Sequence, residues 1–277
     1  MTYEQVKHLK PAEFKRLSGV RPETFQRMLS VLTPRRAGQR GGQPKLSVED
    51  QLLITLQYWR EYRTYFHLAH SWGVHESTVC RTVQQIERLL THSGAFRLPG
   101  KKQLRHPAEH DVEVIVVDVS ETPIERPKKK QRRYYSGKKR RHTLKSQIVV
   151  AQRGLQILCT AHGKGREHDF RLFKRSRVSP APAVELVADK GYQGIQRRHL
   201  NSHTPKKKPA RQPLSATDKQ SNRRLAKRRV VVEQVIGKLK VFQILAHRYR
   251  NRRRRFALRF NLIAALYNFE LALPALT

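Results

Sequence analysis

The spacing of apolar residues changes near residue 112. Upstream they recur every three or four positions, as on one face of a helix. Downstream they gather into short β-branched blocks. Residues 3–32 predict short helices. Pro11 and Pro22 fall in first turns, Glu13 and Glu23 follow closely, and Phe25, Met28, Leu29 and Leu32 share a face. The Arg-, Gly- and Pro-rich segment 33–45 predicts a loop or a basic arm. Ser47 predicts a helix N-cap, with Asp50 completing an S-x-x-D box, and Leu52, Leu53, Leu56 and Trp59 follow at helical spacing.

Residues 65–83 carry the marks of a helix-turn-helix. Ala69 lets two helices approach, Gly73 permits the turn, and Val74 fills the space between the helices. Val79, Val83 and Ile86 face inward from the second helix, which leaves Ser77, Thr78 and Arg81 to meet DNA. Glu76 is open to two readings, a helix cap or a contact to cytosine N4.

Downstream, residues 112–117, 143–150, 155–161 and 184–188 predict strands. Gly154 marks a hairpin turn between the second and third. Helices are predicted over 169–174, 195–200, 217–240 and 259–271. This order suits an α/β fold, a mixed sheet flanked by helices, preceded by an all-α domain. Four segments follow: a helical segment with a basic loop (1–46), the helix-turn-helix domain (47–93), a linker around Pro99-Gly100 (94–107), and an α/β domain (108–277).

Charge sharpens the picture. The 277 residues hold 58 Lys and Arg against 21 Asp and Glu, a net charge of +37, so an anionic partner is expected. Residues 126–145 are the densest stretch, with no acid. They supply Lys128, Lys129, Lys130, Arg132, Arg133, Lys138, Lys139, Arg140 and Arg141 for phosphate, and Tyr134 and Tyr135 for stacking. A localisation signal is the other reading of this run. Lys206-Lys207-Lys208 and Arg252-Arg253-Arg254-Arg255 are further phosphate candidates. Cys80 and Cys159 stand apart with no C-x-x-C, which argues against structural zinc and for a reducing compartment. No secretory h-region and no membrane-spanning apolar run is expected, so nucleic acid is a better partner than lipid.

Against this background the acids stand out. Asp118 closes the run Val114-Ile115-Val116-Val117, Asp189 closes Val184 to Ala188, and Glu233 follows Val230-Val231-Val232 in a predicted helix. Each alone could be a strand-end cap or a solvated helix residue. Together, inside so basic a chain, they suit a cradle for two hard divalent ions about 4 Å apart, the arrangement that phosphodiester cleavage uses. Neighbouring Lys and Arg would keep them ionised and draw in the substrate.

These residues carry a family resemblance. Val117-Asp118-Val119-Ser120-Glu121-Thr122, Ala188-Asp189-Lys190-Gly191-Tyr192-Gln193-Gly194 and the segment from Val232 to Lys240 resemble the three blocks of DDE transposases from IS5-type insertion sequences. The segments 135–145 and 165–169 resemble two further blocks. The resemblance covers roughly residues 47–270. It implies an RNase H-like catalytic domain with Asp118, Asp189 and Glu233 as catalytic metal ligands for Mg²⁺, with Mn²⁺ as the alternative ion. His168, Asp169, Arg229 and Lys240 take supporting roles. Arg229, Glu233 and Lys240 keep the R-x3-E-x6-K spacing of related transposases, while Ala226 stands where they carry Tyr. Asp189 is preferred to Asp169 as the second acid, because it ends a predicted strand whereas Asp169 opens a helix.

The resemblance further implies a prokaryotic, cytoplasmic, nucleoid-associated protein that binds double-stranded element ends and target DNA. Two ends must be handled, which favours a homodimer or higher oligomer on DNA. Cutting would free a 3′-hydroxyl that then attacks the target, with no covalent enzyme–DNA intermediate. Three rivals remain. One is a transposase-derived protein that acts by occupying DNA. Another is a tyrosine recombinase using the H-x-x-R of His247 and Arg250 with Tyr267. The third, an RNA-binding ribosomal-type protein, would need none of the three acids at these positions.

Overall fold

The structure, a computed structural model, describes residues 1–34, 45–106, 111–209 and 212–274. The predicted arm over 33–45 lies almost wholly outside the described residues. Six helices come first: α1 (Tyr3–Val6), α2 (Pro11–Ser18), α3 (Pro22–Leu32), α4 (Val48–Glu61), α5 (Tyr65–Trp72) and α6 (Glu76–Ser93). Then follow β1 (Val114–Pro123), β2 (Tyr135–Ser136), β3 (Arg141–Ala151), β4 (Ile157–Lys164), α7 (Asp169–Ser176), β5 (Glu185–Ala188) and β6 (Ser202–His203). The chain closes with α8 (Ala216–Lys240), α9 (Gln243–Ala246) and α10 (Phe256–Leu271). It divides into two compact units. One is Met1–Arg97 with Leu239–His247 and Asn251–Thr277; the other is Leu98–Lys238 with Arg248–Arg250.

In the helical unit, Leu52, Leu53, Ile54, Leu56 and Trp59 of α4 are all fully buried. Gln51, Thr55, Gln57 and Tyr58 are buried as well, which closes the circle around the helix, so α4 is wrapped by its neighbours rather than laid on a surface. Ser47 caps α4, its Oγ accepting from the Asp50 N–H at 3.0 Å. The predicted capping box is only half formed, because the Asp50 carboxylate accepts from the Tyr3 N–H at 2.7 Å and ties down α1 instead. Glu87 of α6 is also fully buried. Its carboxylate accepts from Arg259 Nε at 2.6 Å, Arg255 Nη1 at 3.0 Å and Trp59 Nε1 at 3.2 Å. A core carboxylate needs such partners to offset its lost hydration. Arg255 is therefore tied into packing, and it leaves the set of phosphate candidates read from Arg252 to Arg255.

The α/β unit is a mixed sheet in the order β4-β3-β1-β5-β6. β1 runs antiparallel to β3, β3 antiparallel to β4, and β1 parallel to β5, which is parallel to β6. This is the expected RNase H-like arrangement. β2 pairs with the first two residues of β3. Every residue from Thr143 to Ala151 is buried, as a central strand covered on both faces requires. One face packs Ile115, Val117, Val149, Leu158, Leu186 and Ala188 against Phe173 and Tyr192.

Two expectations need correction. β1 does not end at Val117 but runs on to Pro123. The polar residues Asp118 to Thr122 looked like a strand's exit, yet the ladder to β3 continues from Asp118↔Ile148 to Pro123↔Thr143. Residues 195–200 hold only a single 3₁₀ turn, Ile195–Arg197. Ile195 is buried while Leu200 is 92% exposed, so the two never share a face.

Candidate active site and nucleic-acid interface

The parallel ladder between β1 and β5 ends at Val117↔Ala188. Asp118 and Asp189 are the residues that directly follow this last pair. Residues level with one another on parallel strands project to the same side of the pleat, so two acids distant in sequence become neighbours. Asp118 shares its face with Val116, opposite the core face of Ile115 and Val117. Asp189 caps the following 3₁₀ turn, its Oδ1 accepting from the Gly191 N–H at 2.6 Å.

A third carboxylate joins them from α7. A Cβ on Gly191 would sit 2.9 Å from Asp189 Oδ1 and 3.0 Å from Asp169 Oδ2. Both acids therefore crowd the same glycine, and any side chain there would push against them. Asp169 Oδ1 in turn accepts from Lys145 Nζ at 2.7 Å, and Lys145 lies 3.8 Å from Glu121, its partner in the β1–β3 register. Burial pushes the Asp118 carboxyl up to about 6. The negative Asp189 and Asp169 push the same way, while the Val119 N–H and Arg229 pull it back.

Glu233 lies further out. Its side chain is 59% exposed and pairs with Arg229 at 3.7 Å, one helical turn earlier on α8. Arg229 thus links the two, acting on Asp118 while pairing with Glu233. Among the described residues, no three His, Cys, Asp or Glu form a ready-made metal cluster. What converges is an all-oxygen carboxylate set with no sulfur or imidazole in it, and that donor chemistry fits a hard divalent cation. Lys240 ends α8, half-buried, about two turns beyond Glu233.

The basic surface is resolved into parts. Lys128, Lys130, Gln131, Arg132, Arg133 and Arg166 line an open concavity of about 590 Å³. No acid lines it, so it suits a phosphate chain passing across it. The exposed Lys138, Lys139 and Arg140 form the turn between β2 and β3, with Arg141 opening β3. Tyr135 is 45% exposed and offers a stacking ring. Tyr134 is half-buried, and Lys164 lies 5.9 Å from its ring centroid.

In the helical unit, α5 and α6 flank Gly73, whose left-handed φ of +61° makes the turn. Val79, Val83 and Ile86 are fully buried. Ser77 and Arg81 are exposed on α6 and Thr78 is half-buried. The cap of α6 is His75, whose ring nitrogen accepts from the Ser77 N–H at 3.2 Å. Glu76 lies exposed in the first turn of α6, where a carboxylate meets the positive end of the helix dipole.

Residues 117–268 match the family described as DDE superfamily endonuclease, and residues 44–96 match the helix-turn-helix of DDE superfamily endonuclease. The chain is also 51% identical over 278 residues to a Microchaete diplosiphon protein named "Probable transposase for insertion sequence element IS702", covering 99% of this chain and 100% of that one. The chain belongs to the DDE transposases. No solved structure matches it.

Sequence reasoning on this transposase found Asp118, Asp189, Asp169 and Arg229, which the fold gathers, and Glu233, which it sets one ion pair away. His168 occupies the N-cap position of α7, exposed and without a side-chain cap bond. Lys145 and Glu121 were missed. Lys145 closes the basic run 126–145 yet falls inside a predicted strand, and the β1–β3 register sets it opposite Glu121. The recombinase rival loses ground at Tyr267, where burial pushes the phenol up to about 12, the wrong direction for a poised nucleophile. No helix among the described residues is long and apolar enough to cross a membrane.

Proposed function

We propose that this transposase binds the ends of its own insertion sequence through α6, cuts them at the Asp118–Asp189–Glu233 site, and joins the freed end to target DNA. The observation that carries the reading is the adjacency of Asp118 and Asp189 where the β1–β5 ladder ends. Asp118, Asp189 and Glu233 would hold the ion, Glu233 by giving up its contact with Arg229. Bound there, Mg²⁺ or Mn²⁺ supplies an activated oxygen nucleophile, charge relief on phosphorus and a stabilised leaving oxygen.

The chain's own residues do the rest. Arg229, released by Glu233, is free to hold a phosphate oxygen, and Lys240 holds another further along the strand. Lys145 keeps Asp169 turned beside the other acids. The concavity of Lys128, Lys130, Arg132, Arg133 and Arg166 carries the flanking backbone, with Tyr135 stacking on an unpaired base. Cleavage adds water across a phosphodiester and leaves a 3′-hydroxyl. In strand transfer that hydroxyl oxygen bonds to the target phosphorus as the target's own 3′-oxygen leaves and takes up the proton. Both ends must be held together, so a homodimer or larger assembly on DNA is the working form, in the prokaryotic cytoplasm at the nucleoid.

The test is a cleavage assay on DNA carrying the inverted repeats that flank the reading frame. Wild type should nick or cut at the repeat boundary in Mg²⁺ or Mn²⁺ and be silent in EDTA. Asp118→Ala should bind the repeats normally and fail to cut. Cutting by that variant, or cutting in EDTA, would refute the assignment.

A further inference from the structure

Tyr192 is fully buried, and its hydroxyl has no hydrogen-bond partner. The ring stands edge-on to Phe173 at 5.9 Å, packed in the core beneath the acid site. Directly before it in the chain is Gly191, the residue on which the Asp169 and Asp189 carboxylates converge. The Tyr192 backbone N–H donates to the Asp189 carbonyl at 3.1 Å, which ties the residue to the turn that carries one of the acids.

A buried hydroxyl that donates to nothing costs the free energy of its lost hydration. Phenylalanine would fill the same space without that cost. The packing therefore does not explain the oxygen; a partner that appears when the site is working does. The acceptors nearest in the chain are the Asp169 and Asp189 carboxylates that meet at Gly191.

We infer that Tyr192 is a positioning residue of the acid site, its hydroxyl donating to a carboxylate oxygen when the acids close around a divalent cation. That bond fixes which oxygen of the carboxylate turns inward, as outer hydrogen-bond partners of metal ligands commonly do. The inference rests on the metal-binding reading of Asp118 and Asp189, and the experiment separates the two.

The full-length protein is titrated with Mn²⁺ while free ion is followed by electron paramagnetic resonance. Wild type, Tyr192→Phe and Asp118→Asn are compared, and each is also melted in EDTA. Asp118→Asn should lose the tight binding. Tyr192→Phe should weaken it ten-fold or more while melting in EDTA at or above the wild-type temperature, because the unpartnered oxygen is gone. If Asp118→Asn binds Mn²⁺ as wild type does, the metal reading falls and this inference with it. If Asp118→Asn loses the ion but Tyr192→Phe keeps wild-type affinity, the inference alone is overturned. A lower melting temperature for Tyr192→Phe in EDTA would mark a packing role and overturn it too.

Discussion

Replacing Asp118 with Asn should make the protein more stable while removing its chemistry. The carboxyl titrates near 6 in the fold against an ordinary 3.8, chiefly because it is buried, with Asp189 and Asp169 adding to the effect. A gap of about two pH units at roughly 1.36 kcal/mol each corresponds to about 3 kcal/mol. The direction follows from proton counting. Below pH 3.8 the carboxyl is protonated folded and unfolded, and the substitution is close to neutral. Between 3.8 and 6 the folded state keeps a proton that the unfolded chain has released, so wild-type stability falls as pH rises. Above 6 the whole penalty is present. Urea unfolding in EDTA at pH 7.5 should show Asp118→Asn more stable by about 2–3 kcal/mol, with the difference shrinking towards zero near pH 4. An advantage that is absent at pH 7.5, or equal at both pH values, would mean that Asp118 carries no burial penalty in the fold.

Other expectations follow from the same contacts. Arg259→Met leaves buried Glu87 with Arg255 and Trp59 alone and should cost about 3–5 kcal/mol in urea unfolding; a loss under about 1 kcal/mol would deny the network its role. Gly191→Ala places a methyl against Asp169 and Asp189 and should lower cleavage about 100-fold with the fold intact by circular dichroism; near-normal cleavage would mean the acids can move aside. Neutralising Lys128, Lys130, Arg132 and Arg133 together should reduce the slope of log binding constant against log salt by about 3–4, as four phosphate contacts require; an unchanged slope would place the DNA elsewhere.

Much of this fold was legible because it follows from periodicity. The α4 cap at Ser47, the buried stripe of α6 and the β-branched blocks of β1, β3 and β5 all obey local rules. The Asp118–Asp189 neighbourhood was readable as two acids ending apolar runs, although Asp118 stands in mid-strand rather than at an end. What stayed hidden depends on partners far away in sequence. Glu87 is a surface residue by type and a core residue by virtue of Arg259. Asp50 looked like half of a capping box until α1 offered it a better donor. Lys145 merged with its basic neighbours because only the β1–β3 register reveals Glu121 across from it. The Tyr192 oxygen leaves no mark in any pattern, since Tyr and Phe share the same apolar periodicity.

Whether Asp118, Asp189 and Glu233 hold one cation between them can be read from a crystal grown with Mn²⁺ and repeat-end DNA, through the ion's anomalous signal. Manganese should lie within about 2.2 Å of an oxygen from each of the three, with Glu233 turned away from Arg229. Manganese held by Asp118 and Asp169 without Asp189, or Glu233 still paired to Arg229 beside a bound ion, would contradict it.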